Sequence, residues 1–278
     1  MKSPPMLCAS HVSKTFSRKK RAAQGGPAKA LDDVSITVTP GDFIAVVGES
    51  GSGKSTLARV MLGLIEPDED GGSVTYDGVA LSEMKRDQLL RFRSSVQCVL
   101  QDPSAALNPR KSVRQIIAEV VKLHRIAQTK ADVDAAVNHA LSIVDLVPTE
   151  IYADRYPHQL SGGQRQRVLI ARAVVLNPSI IIADEAVSAL DVSVKAGILN
   201  LLNRLRLELN IGYLFITHDL PVVEKVADYV YVMRDGRVVE HGKRAELFIS
   251  PESDYTRELL AAAPEPDPES ARRWLRPS

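Results

Sequence analysis

Between Phe43 and Leu62 the chain passes from an apolar run, Phe43-Ile44-Ala45-Val46-Val47, through Gly48-Glu49-Ser50-Gly51-Ser52-Gly53-Lys54-Ser55, into Thr56-Leu57-Ala58-Arg59-Val60-Met61-Leu62. The middle octet has the form G-x-x-x-x-G-K-[ST] and lies between a strand-like and a helix-like stretch, the order a phosphate-binding loop requires. The glycines let the backbone curl so that successive N–H groups and the helix N-terminus face phosphates. Gly48, Glu49, Ser50, Gly51, Ser52 and Gly53 then form the cradle, Lys54 reaches the β- and γ-phosphates, and the Ser55 hydroxyl holds Mg2+. Nucleotide binding follows from this loop; what the nucleotide is used for does not.

At 278 residues the chain can hold one large domain, or a domain with a subdomain, around an ample core. Its 45% hydrophobic and 25% charged content is that of an ordinary soluble globular protein. A net charge of +1 offers no bulk attraction for nucleic acid, so no nucleic-acid partner is expected. Cys8 and Cys98 lie far apart and outside any metal-ligand spacing, the pattern of a reduced cytosolic chain with two free thiols. The most apolar stretch, Val168 to Val187, is broken by Arg172, Asn177, Asp184 and Glu185. It falls short of the ~20 uninterrupted residues of a membrane helix. Met1-Lys2-Ser3-Pro4-Pro5 lacks the apolar core of a secretion signal, so any work at a membrane is expected to go through partners.

Strands are expected over Met6–Val12, Leu31–Val38, Phe43–Val47, Gly72–Gly78, Ser95–Leu100, Ser179–Ala183, Tyr213–Thr217 and Tyr229–Met233. A loop rich in Lys, Arg and Gly is expected from Lys14 to Lys29, read as a solvated connection. Asp77-Gly78 and Asp235-Gly236 read as turns, the second leading into Arg237 to Glu240. Val113–His124 and Ala131–Leu146 carry helical spacing, which suggests a helical subdomain over about 87–160 inserted in an α/β core. Gln164–Leu176 and Val194–Leu209 are further helices, the second with Val194, Ile198, Leu201, Leu202, Leu205 and Leu209 on one face. From Pro264 the composition is that of a mobile tail.

Ser179-Ile180-Ile181-Ile182-Ala183-Asp184-Glu185 is apolar up to two carboxylates, as expected of a central strand covered on both faces. Open α/β sheets bind ligands at the carboxyl ends of such strands. Asp184 there can hold Mg2+, usually through water, while Glu185 points toward an attacking water. Gln101 follows another strand and could reach the metal or that water; His218 follows a third and could contact the γ-phosphate. Phe16, before the first core strands, could stack on adenine. Each of these three also has an ordinary structural alternative: a surface glutamine, a strand-end histidine and a core phenylalanine.

Leu160-Ser161-Gly162-Gly163-Gln164 lies upstream of the two carboxylates and Ser188-Ala189-Leu190-Asp191 just downstream. Ser161, Gly162 and Gly163 open a helix, which makes a second anion site of backbone N–H groups and a helix dipole. One chain with two such sites suggests that the second serves another subunit's nucleotide.

In this order of motifs, residues 6 to 245 resemble the nucleotide-binding domain of the ATP-binding cassette family. The resemblance implies a P-loop NTPase (RecA-like) α/β core with an N-terminal antiparallel β subdomain and an inserted α-helical subdomain. The cassette would occupy residues 1–245, with a C-terminal extension over 246–278, largely flexible after 263. It further implies ATP and Mg2+ as ligands, and two domains that sandwich two ATP molecules between one loop and the partner's Ser161–Gln164. Lys54, Ser55 and Thr56 would contact phosphates and Mg2+, Gln101 would sense the metal and the transport partner, and Asp184 would complete the metal site. Glu185 would be the general base, His218 would hold the γ-phosphate, Asp191 would lie at the dimer seam and Phe16 would take the adenine-stacking place.

Gln101-Asp102-Pro103-Ser104-Ala105-Ala106-Leu107-Asn108-Pro109 resembles the Q-D-P-x-x-x-L-N-P stretch of dipeptide, oligopeptide and nickel importers. Tyr156-Pro157-His158-Gln159 and Asp254-Tyr255-Thr256-Arg257-Glu258-Leu259-Leu260 look the same. Ala186 departs from the proline that usually follows the acid pair, which is expected to loosen the loop without moving either carboxylate. The resemblance implies an importer ATPase at the cytoplasmic face of the cell membrane. Its partners would be a second, different ATPase subunit, with a homodimer as the alternative, two integral-membrane permeases and, indirectly, an extracytoplasmic solute-binding protein. The competing assignments are a soluble cassette ATPase acting on ribosomes or nucleic acid, and an exporter. One cassette, no heptad array and near-zero net charge weigh against the first.

Overall fold

The computed structural model describes residues 6–16, 28–100, 102–188 and 190–262. Two sheets organise it. The strands β1 (Leu7–Phe16), β2 (Ala28–Val38), β4 (Ser73–Tyr76) and β5 (Val79–Ala80) form an antiparallel sheet in the order β2-β1-β4-β5. The second sheet contains β3 (Phe43–Val47), β6 (Val96–Val99), β7 (Ile180–Asp184), β8 (Gly212–Ile216), β9 (Tyr229–Arg234) and β10 (Arg237–Lys243). Its order is β10-β9-β3-β8-β7-β6, parallel from β9 to β6, with β10 antiparallel at the edge.

Continuous apolar strands fit this sheet because both of its faces are covered. Alternate residues of β3 and β7 point to opposite faces. Ile44, Val46, Ile180 and Ile182 pack with the antiparallel sheet and α1 (Lys54–Met61). On the other face Phe43, Ile181 and Ala183 pack with α7 (Gly162–Val174) and α8 (Val192–Leu209). Ala45 and Val47 join a third cluster with α9 (Leu220–Val226), α10 (Arg244–Ile249) and α11 (Asp254–Ala261).

The helical insertion differs from the expected span of about 87–160. The helix α2 (Arg86–Ser95) buries Phe92 in the core beneath β4, and β6 is an edge strand of the large sheet, with Val96 and Val99 on opposite faces. The helices inserted between β6 and α7 are therefore α3 (Pro103–Ala106), α4 (Val113–Leu123), α5 (Lys130–Ile143) and α6 (Thr149–Ala153). α4 buries Val113, Ile117 and Val121, and α5 buries Val133, Val137 and Leu141, each set at the four-residue spacing of one helix face. Ser112 and Thr129 cap these two helices by accepting from Gln115 N and Asp132 N.

Several boundaries move for identifiable reasons. β1 runs on to Phe16, beyond the expected loop start at Lys14, because Lys14, Thr15 and Phe16 pair across the hairpin with Leu31, Lys29 and Ala28. Tertiary pairing outweighs the polar composition there. α5 stops at Ile143, and Asp145 takes a left-handed backbone, φ 58°, so the helix does not reach Leu146. α8 starts at Val192 because Asp191 caps it, and Leu209 at its far end is exposed, not part of the buried face. The expected break after residue 245 falls inside α10: Leu247 and Tyr255 are buried in the cluster beneath β3 and β9. Both cysteines are free. Among the described residues, no helix is long and apolar enough to cross a membrane.

Candidate active site

β3 ends against the neighbouring strand β9, and the loop at 48–53 must turn within that confinement. Gly48 has φ 147°, and a Cβ there would lie 2.1 Å from Met233 O. Gly53, φ 104°, would place a Cβ 2.4 Å from Ala30 O. Backbone atoms cannot yield by rotating, so both positions require glycine. α1 opens at Gly53 with no side-chain cap and no acid in its first turn. Its leading N–H groups and dipole are left to an anion from outside the helix.

Lys54 follows, only 6% exposed. Its Nζ donates to Gly48 O (2.8 Å), Glu49 O (2.7 Å) and Ser52 Oγ (3.2 Å), so the ammonium lies inside the curl of the loop. Burial lowers its pKa, and the charges of Glu185, Asp184 and Glu49 oppose the shift. Ser52 is buried, while Glu49, Ser50 and Gly51 form the exposed crest of the loop. Thr56 lies partly exposed in the first turn of α1.

The two carboxylates meet this loop at the carboxyl end of β7. Ser55 Oγ donates to Asp184 Oδ1 at 3.3 Å. Burial raises the Asp184 pKa and repulsion from Glu185 adds to that, against the Ser55 hydrogen bond and the charges of Arg59 and Lys54. A hydroxyl and a carboxylate, both oxygen donors, suit a hard divalent cation such as Mg2+. Glu185 has a left-handed backbone, φ 49°, pinned where its N–H donates to Ile216 O at 2.9 Å and its C=O accepts from Ser188 N at 3.2 Å. These bonds span the turn that contains Ala186, which is itself buried. His218, just beyond β8, sets its Nδ1 3.1 Å from Glu185 Oε1.

Other expected residues lie further out. Ser161 caps α7 in a reciprocal box: its Oγ accepts from Gln164 N (3.2 Å), and Gln164 Oε1 accepts from Ser161 N (3.0 Å). Ser161 and Gln164 thus satisfy each other, and the N–H groups of Gly162 and Gly163 in the first turn are the donors left for an anion. Among the described residues, no hydrogen bond or ion pair joins 161–164 to the loop at 48–56. Asp191 accepts from Val194 N (3.0 Å) and Ser193 Oγ (2.8 Å) as the cap of α8. Phe16 is 41% exposed at the end of β1. Gln101 lies outside the described residues.

Two contacts went unread in the sequence. Lys195 Nζ lies 2.5 Å from Asp219 Oδ2, joining the start of α8 to the start of α9 beside His218. Asp219 just before Leu220-Pro221 is a legible cap, but its partner is set by tertiary packing. Lys195→Met should lower unfolding stability by about 1–3 kcal/mol, since it takes from a partly buried carboxylate the cation it contacts directly. Urea unfolding of the two proteins measures this, and an unchanged midpoint would show the pair to be idle. The second contact brings the Tyr255 hydroxyl to the N–H of Glu49.

A glycine cradle, an uncapped helix and a buried lysine after β3, with an acid pair at the carboxyl end of β7, define a phosphate-binding-loop nucleotide hydrolase. Sequence comparison places it more closely. A family profile described as "ABC transporter" matches residues 31–188. Over 265 residues the chain is 44% identical to the "Oligopeptide transport ATP-binding protein OppF" of Streptococcus mutans serotype c, covering 95% of this chain and 83% of that protein. It is 46% identical over 244 residues to the "Glutathione import ATP-binding protein GsiA" of Salmonella typhimurium, covering 87% of this chain and 38% of that protein. Among solved structures, the ATP-binding cassette MJ0796 bound to ADP and Pi superposes with a TM-score of 0.72 at 29% identity, covering 86% of this chain and 98% of that one. For cbiO1 of Clostridium perfringens, described as part of the transporter complex cbiONQ, the TM-score is 0.75 at 28% identity, with 90% and 93% covered. The chain belongs to the ATP-binding cassette family of transporter ATPases.

Proposed function

We propose that this chain is the ATP-hydrolysing subunit of an importer that takes up peptides or a related small solute. The carrying observation is that the chain matches the oligopeptide-transport relative over 95% of its length and also brings Ser55 to Asp184 (3.3 Å) and Glu185 to His218 (3.1 Å). In this reading the N–H groups of the loop and first turn of α1 that are not bonded within the fold, as those of Glu49 and Ser52 are, hold the phosphates of ATP together with the Lys54 ammonium. Ser55 and Asp184, with Gln101, would hold Mg2+, which when bound neutralises charge on the β- and γ-phosphates. Glu185 takes a proton from the attacking water. His218 holds the γ-phosphate, and the contact of its Nδ1 with Glu185 Oε1 keeps the base aimed.

Ser161, Gly162, Gly163 and Gln164 would close over the nucleotide of a second ATPase subunit, with Asp191 at the seam and Phe16 against adenine. Closure and reopening of the pair would drive two membrane permeases supplied by an external solute-binding protein. The chain would then work as a peripheral subunit at the cytoplasmic face of the membrane. The test is to reconstitute the chain with its permeases and solute-binding protein in vesicles and titrate dipeptides, longer peptides, glutathione and nickel. Peptide should stimulate ATP hydrolysis and enter the vesicles. Stimulation by nickel alone, or ATP turnover indifferent to every solute, would reject the peptide reading.

A further inference from the structure

The stretch Asp254-Tyr255-Thr256-Arg257 carries no role in the mechanism above, yet it reaches the phosphate loop. Tyr255 on α11 is 6% exposed, its ring packed in the same cluster as Ala45 and Val47, the strand that delivers the loop. The Arg234 guanidinium lies 4.7 Å from the ring centroid, a cation–π contact at the end of β9. At the tip of the ring, the hydroxyl accepts from Glu49 N–H at 3.1 Å. The carbonyl of the same residue, Glu49 O, accepts from Lys54 Nζ at 2.7 Å. Glu49 is therefore gripped by Tyr255 on one side and by the phosphate-binding lysine on the other.

The approach to α11 is fixed as well. The Glu240 carboxylate on β10 accepts from Glu252 N (2.8 Å) and Ser253 N (3.1 Å), and Arg257 donates back to Pro251 O (2.9 Å) and Glu252 O (3.2 Å). A side chain held at both ends loses little further entropy when it makes its hydrogen bond. Glu49 itself is exposed at the crest of the loop, so removing the hydroxyl costs the fold little while the loop loses a fixed point.

We propose that Tyr255 is a positioning residue of the nucleotide site: through the Glu49 peptide it sets the height of the loop and hence the reach of Lys54. The inference rests on the nucleotide-site reading and extends it to the C-terminal segment. The test compares the full-length chain with Tyr255→Phe, which keeps the ring and its packing and removes only the hydroxyl. ATP affinity is measured by titration calorimetry, KM and kcat in the assembled transporter, and unfolding by thermal melt, with Lys54→Ala as a control. The expected result is Kd and KM for ATP raised ~2- to 10-fold, with kcat and melting temperature close to wild type. Unchanged Kd and KM would overturn the proposal. So would a fall in affinity accompanied by parallel losses of kcat and thermal stability, which is what general loosening of α11 produces. If the wild-type chain bound no ATP, the nucleotide-site reading itself would fall, an outcome distinct from either.

Discussion

Glu185→Gln should cut ATP turnover by about 10²- to 10⁴-fold while leaving ATP binding intact. Glutamine has nearly the same shape, and its amide oxygen can still accept from His218 where Glu185 Oε1 now lies 3.1 Å from Nδ1. What it cannot do is take a proton from water. The substitution also removes a negative charge whose repulsion helps to raise the pKa of Asp184, so the neighbouring cation site should be retained. Single-turnover hydrolysis measures the chemical step, and sedimentation in the presence of ATP tests whether an ATP-loaded pair accumulates. Wild-type turnover by the variant in the assembled transporter would remove Glu185 from its role as base.

Lys54→Ala should have an effect of similar size at an earlier step, weakening ATP binding by about 10²- to 10⁴-fold through loss of charge-assisted contacts to phosphate. The side chain also serves the fold: it is buried and donates to Gly48 O, Glu49 O and Ser52 Oγ. Its loss removes a donor from Gly48 O and Glu49 O, the second of which keeps the Ser52 N–H, and takes away one of the two cations, with Arg59, that offset the Asp184 charge. A lower melting temperature should accompany the lost affinity, and comparing the two variants separates these costs, because Glu185→Gln leaves the loop's own bonds in place. Normal uptake by transporters carrying Lys54→Ala would contradict the ATP-driven reading altogether.

The local parts of this site were legible because their signals are local. The strand, glycines, lysine and helix of 43–62 are contiguous, and the apolar run into Asp184 and Glu185 marks a strand buried on both faces. The pairing of Ser55 with Asp184 and of His218 with Glu185 could be anticipated only from the order of motifs, because those contacts span 129 and 33 residues. At the start of α7 the S-x-x-Q spacing was itself legible as a capping box, in which the Ser161 hydroxyl accepts from Gln164 N and the N–H groups of Gly162 and Gly163 stay open to an anion. Tyr255 was visible only as a shared phrase. Nothing in its neighbourhood points to Glu49, 206 residues away, and only the packing of α11 beneath β3 and β9 brings them together. The insertion was misjudged at its start for the same reason: β6 is four residues long and finds its place by pairing with β7.

The strand order of the large sheet also bears on how such a chain is made. β3 is flanked by β8 and β9, and the brace on its loop comes from α11, so the phosphate loop leaves the ribosome long before these three supports, with only β2 already made beside it. Synthesis runs from the N-terminus, and contacts of such sequence separation form late. A nascent or truncated chain ending before β9 would carry the complete loop motif and still have no shaped site. On that order ATP binding should trail synthesis of β8, β9 and α11, because the strands that flank β3 and the residue that braces its loop are made after the loop itself.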